Sequence, residues 1–467
     1  MSERIAIYGG SFNPPGLHHR RIVEALLPHF NKIFIVICGF RPDKAVTNGI
    51  NPIHRAVMVD LTFRDLPGVE IIHDDLETGM FTPLVELDRK FSTFYPDRWH
   101  VIGSDLIIGA AVHQAKIQHW VNGPEIWEQC QFAVIARADA PVEQSDLPPR
   151  HEVFMPGQVG SSAVIRDRRY VGQSISDLVT PAVERYIRRY GLYDGLHRHP
   201  RPTLAADGLR FGLLLDAKNS RAAELATDIR RMMPIVDDHP DLYLVLGGDG
   251  TVLHAVREHW PERRPFLGLN LGTVGFLAND VTSPSELSSI LEGPWNVYQN
   301  PMLLATVEYV NGSVAQHIGF NDVYVRSANA QTAWLEVAVD DSVVLPRLMG
   351  DGVLVASAAG STAYARSMGA TPITVGSDSL ILVGSNVSQP YGWKSAPLFG
   401  DSRVRITNVD PSPIHGKRPT DIIIDGRRAD VIHSVTVRSS RVAEAELLFL
   451  KPYDLRAKFI RSQFPPA

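Results

Sequence analysis

Twice along this chain an apolar, β-prone run ends in paired glycines and passes directly into a helical pattern. The first stretch is "IAIYGGSFNPPGLHH" at residues 5–19, and the second is "VLGGDGTVLHAVREHW" at residues 245–260. Glycines at such a junction let the backbone approach an anion, and the following helix offers it unsatisfied N–H groups and a positive dipole end. The chain must therefore build at least two strand–turn–helix units that suit phosphate. Their surroundings differ, so they do not mark an internal repeat.

Up to residue 195 strand-like and helical runs alternate. "RIAIYGG", "KIFIVICGF", "VEIIHDDL", "RWHVIGSD" and "QFAVIAR" read as strands. "HHRRIVEALLPHF", "PIHRAVMVDLTFRDL" and "DLVTPAVERYIRRYGLY" read as helices, the last with an Asp or Thr for its cap and a glycine at its end. Strands apolar throughout, separated by helices, predict a doubly wound parallel sheet covered on both faces. Residues 196–208, rich in Gly, Pro, His and Arg without apolar period, read as a linker. The α/β pattern restarts over 209–298, with strands "RFGLLLD", "DLYLVLGG" and "PFLGLNLG" and helix "SRAAELATDIRRMM". Over 299–467 the runs "MLLATVEYV", "SVAQHIGFNDVYV", "WLEVAVDDSVV", "GVLVASA", "RVRITNV" and "SVTVRSS" follow one another without helices. That order predicts a β-sandwich lobe, with the C-terminal segment returning to the α/β lobe.

Composition narrows the class. The 467 residues are 44% hydrophobic and 21% charged, with a net charge of -5, which suits a globular protein and gives no basic footprint for nucleic acid. Cys38 and Cys130 lie in apolar runs and read as buried free thiols rather than a disulfide or metal site. The 17 histidines show no HExxH or paired CxxC spacing, so no resident metal site is expected. No run is long enough to cross a bilayer and no signal peptide is recognised, so a cytoplasmic location is expected.

In the first turn Gly9, Gly10, Ser11 and Phe12 lead into His18 and His19 at the helix start. A histidine there can donate a hydrogen bond to phosphate; the turn alone reads equally well as a tight connection with incidental histidines. "GGSFNPPGLHH" resembles the nucleotidyltransferase signature. Residues 1–195 resemble nicotinate/nicotinamide mononucleotide adenylyltransferases more closely, through "RPDK", "HR" at 54–55, "FTPLVEL", "IGSD", Trp120, "VIAR", "SSAVIR" and "TPAVERYIRRYGLY" in order. The resemblance implies a Rossmann-like nucleotidyltransferase domain in which mononucleotide phosphate attacks the α-phosphorus of ATP. It implies that Gly9, Gly10, Ser11, Phe12, His19, Gly103, Asp105, Ser162 and Arg166 bind ATP, with His19 catalytic. Lys44, Thr82, Trp120 and Arg137 would bind the mononucleotide. Two positions depart from the family: its first signature histidine falls on Gly16, and the last residue of its Ser-Ser-Thr is Ala163. His18 is a doubtful replacement, because adjacent helical residues point about 100° apart.

In the second turn Gly247, Gly248, Gly250 and Thr251 surround Asp249. Beside bound phosphate and Mg²⁺ such a carboxylate can take a proton from an attacking hydroxyl; equally, it can cap the helix that follows. "GGDGT" is shared by NAD kinases, diacylglycerol and sphingosine kinases and phosphofructokinases. Residues 205–450 resemble NAD kinases specifically, through "LGLNLGTVGFLAND", "GFNDVYV" and "GDGVLVASAAGSTAYARSMGA". The resemblance implies 2′-phosphorylation of NAD by ATP. Asp249 would be the general base, and Phe276, Asn321, Asp322, Asp351, Thr362, Ala363 and Tyr364 would line the NAD site. Asp322 stands where the family has Glu, and Thr273-Val274 where Arg-Leu is common. No P-loop GxxxxGK[ST] occurs.

The expectation is a bifunctional enzyme of NAD and NADP synthesis, acting on small molecules with Mg²⁺ and ATP, without nucleic-acid or membrane partners. Homo-oligomerisation through the kinase half is implied by resemblance. Two rivals stand beside it. One is an NAD kinase whose N-terminal domain has lost catalysis and senses nucleotides, suggested by Gly16 and Ala163. The other is a lipid kinase, which the "GSTAY" block opposes.

Overall fold

The computed structural model describes residues 3–40, 49–137, 140–157, 160–195, 202–216, 218–272, 275–281, 283–410, 417–450, 458 and 460. The chain forms two compact units, Met1–Pro200 and Arg201–Ala467. None of the described helices is long and apolar enough to cross a membrane.

The first unit is built on β1 (Arg4–Gly10), β2 (Lys32–Ile37), β3 (Val69–Ile72), β4 (Asp97–Gly103), β5 (Gln131–Ile135) and β6 (His151–Phe154). They pair in parallel in the order β3-β2-β1-β4-β5-β6. The helices are α1 (Leu17–Leu26), α2 (Pro52–Phe63), α3 (Asp74–Thr78), α4 (Leu84–Ser92), α5 (Gly123–Gln129), α6 (Ser162–Tyr170) and α7 (Pro181–Tyr190). Ile5, Ile7, Ile33 and Ile35 are fully buried in β1 and β2, which accounts for runs without alternation. Thr180 caps α7, accepting the Val183 N–H, and Gly191 ends it with a positive φ of 58°. The strand order reverses between β1 and β4, and in open α/β sheets ligands bind beyond the strand ends at such a switch point. The first glycine turn and Gly103–Asp105 both lie there.

Two readings of this unit need correction. "VEIIHDDL" is a strand only to Ile72, because Asp74 begins α3. β6 was missed, since a four-residue edge strand carries too little pattern. Both cysteines are buried and free, and Cys130 lies beside Asp88 and His100 with one donor atom of each within 4.8 Å. Asp88 is already paired with Arg98 at 2.6 Å and with His100 at 2.9 Å, and burial pushes the Cys130 thiol up to about 12. The group is a hydrogen-bonded polar cluster inside the fold.

The second unit starts with β7 (Thr203–Leu204), which pairs with β12 (Trp295–Tyr309) although it lies in the stretch read as linker. Two backbone-paired residues leave no periodic signal. β8 (Phe211–Leu215), β9 (Leu242–Gly247), β10 (Phe266–Asn270) and β11 (Asn279–Asp280) make a parallel set. α8 (Ser220–Met232), α9 (Asp249–His259) and α10 (Pro284–Glu292) belong to this lobe. The remaining strands are β13 (Val314–Gly319), β14 (Asp322–Ser327), β15 (Ala333–Val339), β16 (Ser342–Gly350), β17 (Gly352–Ala356), β18 (Ser379–Ser385), β19 (Ser395–Phe399), β20 (Val404–Asn408), β21 (Thr420–Ile424) and β22 (Arg427–Leu450), with the short α11 (Tyr364–Ser367) between β17 and β18. Leu303, Val323, Val325, Leu335, Val353, Val355, Val404 and Val435 form the sandwich core. β12 and β22 pair antiparallel from Trp295↔Leu450 to Tyr309↔Ile432, and β22 also meets β10 through Phe266↔Leu447. These two strands carry one ladder from the α/β lobe into the sandwich.

Two runs read as single strands are pairs. "SVAQHIGFNDVYV" breaks at Phe320-Asn321 into β13 and β14. "WLEVAVDDSVV" folds at Asp340 and Asp341, with φ of 50° and 65°, into the β15–β16 hairpin. Both central residues of a two-residue type I′ hairpin need φ > 0, and Asp tolerates it at some cost, so the apolar pattern continued across the turn.

Candidate functional site

Each glycine turn organises a separate group of side chains. In the first unit Arg55 of α2, 1% exposed, donates from Nε and Nη2 to the Ser11 carbonyl at 3.0 and 2.7 Å, and from Nη2 to that of Cys38 at 2.7 Å. From the other side Ser162 Oγ donates to the Pro14 carbonyl at 2.8 Å and Arg166 Nη1 to that of Asn13 at 2.7 Å. Tyr193 donates to Asn13 Oδ1 at 2.6 Å. The turn is thus clamped between α2, α6 and the segment after α7. Arg55 and Tyr193 were each quoted in a motif without a role, because their contacts span long separations.

His19 at the start of α1 accepts the Gly16 N–H on Nδ1 at 3.0 Å, so its proton resides on Nε2. Phe12 packs edge-on against it, with ring centroids 5.0 Å apart. Burial holds His19 well below the usual histidine range, and the neighbouring His18 and the charge of Arg137 add to this. Arg137 Nη1 lies 3.6 Å from Asp105 Oδ1, and its N–H bonds Ser104 Oγ at 3.0 Å. A Cβ on Gly103 would meet Asp105 Oδ1 at 2.5 Å, so the bare backbone there gives the carboxylate its place. The fold therefore gathers Gly9, Gly10, Ser11, Phe12, His19, Ser162 and Arg166 around the turn. Gly103, Asp105 and Arg137 meet at the end of the neighbouring strand. Thr82 and Trp120 lie in loops following β3 and β4; Thr82 donates to Asp75 Oδ1 at 2.6 Å, and Trp120 packs on the cluster around Ile117 and Phe132. Lys44 lies outside the described residues.

In the second unit Gly247 ends β9, Gly248 is the N-cap of α9 and Asp249 is its first residue. A Cβ on Gly247 would meet Thr251 Oγ1 at 2.2 Å, which explains that glycine. The cap position itself is the glycine, not Asp249. Its Oδ2 accepts the Phe276 N–H at 2.8 Å and its Oδ1 the Leu277 N–H at 2.9 Å, so it joins the turn to the loop after β10. Burial pushes its carboxyl above the usual carboxylate range, against those two hydrogen bonds and the charge of Lys458. Each oxygen keeps a lone pair for a further donor. Gly250 has open space at its Cβ position, leaving the helix start uncovered. Thr273 and Val274 lie outside the described residues.

The sandwich supplies the rest. Asp425, 5% exposed, accepts the N–H groups of Phe320 and Asn321 at 2.7 Å each and of Asp322 at 3.2 Å. Gly360 passes so close that a Cβ would lie 2.0 Å from the Asn321 carbonyl oxygen. Ser357 donates to the Phe320 carbonyl at 2.6 Å. Asn321 Oδ1 is buried without a hydrogen-bond partner among the described residues. Burial, with Asp425 next, pushes Asp322 up to about 7. Thr362 and Ala363 form the turn before Tyr364, which is 51% exposed and packs edge-on against Tyr324 at 5.7 Å. Tyr364 is therefore no buried core aromatic. Arg366, two residues on, faces the Phe276 ring at 5.9 Å. Asp351 is exposed at the β16–β17 junction and accepts from Asn386 Nδ2. Asp249, Phe276 and Tyr364 are thus linked through Arg366, and Gly360 sets the approach to Asn321, whereas Asp351 bonds Asn386 outside this group. Asp425 was missed; its "DG" reads as a hairpin turn, and nothing local announces amides 103–105 residues away.

Residues 210–296 match the model of the ATP-NAD kinase N-terminal domain, and residues 7–173 match the cytidylyltransferase-like family. The NAD kinase of Cereibacter sphaeroides is 34% identical over 224 residues, 48% of this chain and 86% of that protein. The NAD kinase of Xanthomonas oryzae pv. oryzae is 30% identical over 256 residues, 55% of this chain and 97% of that protein. A crystal structure of yeast NADH kinase complexed with NADH aligns at 17% identity with a TM-score of 0.45, covering 55% of this chain and 87% of that one.

Proposed function

The chain belongs to the NAD kinase family, and on that premise we propose that its second unit transfers the γ-phosphoryl group of ATP to the 2′-hydroxyl of NAD. The observation that carries the reading is the fixed carboxylate of Asp249 at the start of α9. Gly247, Gly248, Gly250 and Thr251 give the phosphates close backbone and a helix N-terminus. Asp249, with its proton affinity raised by burial, accepts the hydroxyl proton as the oxygen attacks phosphorus, and ADP leaves. The unpartnered Asn321 Oδ1 suits an amino group of the dinucleotide, Asp322 is neutral enough near pH 7 to donate, and Tyr364 offers an exposed ring face. Among the described residues no three metal-ligating side chains converge at either turn. Mg²⁺ would enter with ATP and neutralise phosphate charge.

We further propose adenylyl transfer from ATP to nicotinamide or nicotinate mononucleotide in the first unit. The cytidylyltransferase-like match and the clamped turn at the β1/β4 switch point support it. A mononucleotide phosphate oxygen bonds to the α-phosphorus, the bond to the β-phosphate oxygen breaks, and pyrophosphate leaves with the electron pair. His19 donates from Nε2, while Ser162 and Arg166 shape the turn that receives the triphosphate. One experiment tests both activities. The chain is incubated with Mg²⁺-ATP, isotopically labelled nicotinamide or nicotinate mononucleotide and unlabelled NAD, and products are read by mass spectrometry. Labelled dinucleotide together with NADP is expected. Absence of NADP overturns the kinase assignment, and absence of labelled dinucleotide from either substrate overturns that of the first unit.

A further inference from the structure

Gly16 is the N-cap of α1, with extended backbone at φ −127° and ψ 174° that any residue adopts. Its glycine is required by space. A Cβ at position 16 would lie 2.6 Å from His18 Nδ1, 2.7 Å from His18 Cε1 and 2.9 Å from Ile165 Cδ1. Gly160 bounds the same ring from the start of α6, where a Cβ would be 3.2 Å from His18 Nδ1. The His18 imidazole thus lies on a floor of two glycines, between the N-termini of two helices. Helical side chains lean toward the N-terminus, and here His18 folds back over its own cap.

That rotamer overrides the angular separation of neighbouring helical residues. The ring centroids of His18 and His19 are 3.8 Å apart. Neither ring nitrogen of His18 has a hydrogen-bond partner among the described residues, and His19 has only Nδ1 engaged. Burial, with Arg137 and Arg21 adding, holds His18 down to about 4, so at neutral pH two uncharged imidazoles can pack together and each keeps an N–H to offer.

We propose that His18 is a catalytic residue of nucleotidyl transfer, filling from position 18 the place that a side chain at position 16 would take and binding the ATP phosphates jointly with His19. The inference rests on the adenylyl-transfer reading of the first unit. His18 donates its N–H to an oxygen of the phosphate undergoing substitution or of the departing pyrophosphate. No proton changes owner: one P–O bond forms as the other breaks, and the donor stabilises charge that grows on oxygen.

The test uses the full chain, with adenylyl transfer to both mononucleotides and NADP formation measured in parallel. His18→Ala is expected to lower kcat for adenylyl transfer by about 10²-fold, the scale for one preorganised donor, with KM for the mononucleotide little changed. Gly16→His alone is expected to slow the reaction as well, because its Cβ meets the His18 ring. The exchange Gly16→His with His18→Gly is expected to recover activity to within about tenfold of wild type, since one imidazole again faces the phosphates. NADP formation stays at the wild-type level in all three variants and reports that the second unit is folded, while recovery in the exchange variant reports that the first unit is. Active wild type with His18→Ala unaffected overturns this proposal alone, as does an exchange variant no faster than His18→Ala. Wild type that adenylylates neither mononucleotide overturns the proposal together with the reading beneath it.

Discussion

Arg257 and Asp425 meet in one hydrogen bond, from Arg257 Nη1 to the Asp425 carbonyl oxygen at 3.1 Å. Arg257 belongs to α9, the helix that the second glycine turn opens. The Asp425 carboxylate meanwhile holds three successive amides of the 320–322 segment. A single hairpin turn therefore ties the phosphate helix to the segment proposed to meet NAD.

Asp425→Asn puts an NH₂ group against at least one of those amides. An unsatisfied buried donor costs about 1–3 kcal/mol, spent on displacing the segment. KM for NAD is expected to rise about tenfold, which corresponds to ~1.4 kcal/mol. KM for ATP should stay near its wild-type value. Steady-state kinetics in both substrates decide, and an unchanged KM for NAD removes Asp425 from this role.

Asp249→Asn keeps the side-chain shape and loses the base. NADP formation is expected to fall by about 10² to 10⁴-fold, while adenylyl transfer is unaffected. Calorimetry should show NAD still binding to the variant, which separates lost proton transfer from a collapsed 276–277 loop. Near-wild-type turnover refutes the role of base.

Asp322 gives a pH signature. In the fold it titrates near 7, raised by burial and then by Asp425; unfolded, it titrates near about 3.9. The folded chain therefore binds a proton that the unfolded chain has released. The stability from this neutral carboxyl is complete below about pH 4 and is lost as pH rises through 7. Asp322→Asn stays neutral throughout. Its stability relative to wild type is expected to grow by about 2–3 kcal/mol between pH 5 and pH 8, measured by urea unfolding of the second unit. A difference that stays constant across that range contradicts the titration.

Arg55→Ala leaves the Ser11 and Cys38 carbonyls without their buried donor. A loss of about 2–5 kcal/mol in the first unit is expected, from two acceptors left unsatisfied. Amide exchange at residues 10–13 should accelerate while α9 keeps its protection. Unchanged exchange there means the turn is held by other contacts.

What could be read in the sequence follows from what local pattern records. β1, β2, β9 and β10 are buried on both faces, so their apolar runs stood out, and the glycines that end β1 and β9 marked the turns. The β15–β16 hairpin was hidden because two aspartates, rather than Asn-Gly, make its turn. β19 and β21 escaped because five-residue strands among loops lack a distinct period, and β18, an apolar run of seven, was passed over although it is buried like β9. At the sites, glycine-rich motifs pointed to phosphate chemistry, whereas the partners of Asp249 and Asp425 lie 27 to 105 residues away. His18 shows the limit of angular reasoning: its backbone position is as expected for a helix, and its rotamer, set by two glycines, brings its ring to His19.

The ladder of β12 and β22 has a mechanical meaning. The chain passes from the α/β lobe into the sandwich along the 15 residues of β12 and returns along the 24 of β22, and the two are bonded to each other on either side of the junction. A hinge needs a few residues free to absorb a change of φ and ψ. The ladder is broken at this point: the pairing steps from Pro301↔Glu444 to Leu303↔Ser439, leaving residues 440–443 outside it, and Ser440 Oγ closes the bulge by accepting the N–H groups of Val442 and Ala443. The lobes of this unit are therefore firmly paired on either side of one irregular step, and a change in the gap between Asp249 and the 320–322 segment would be taken up at that step.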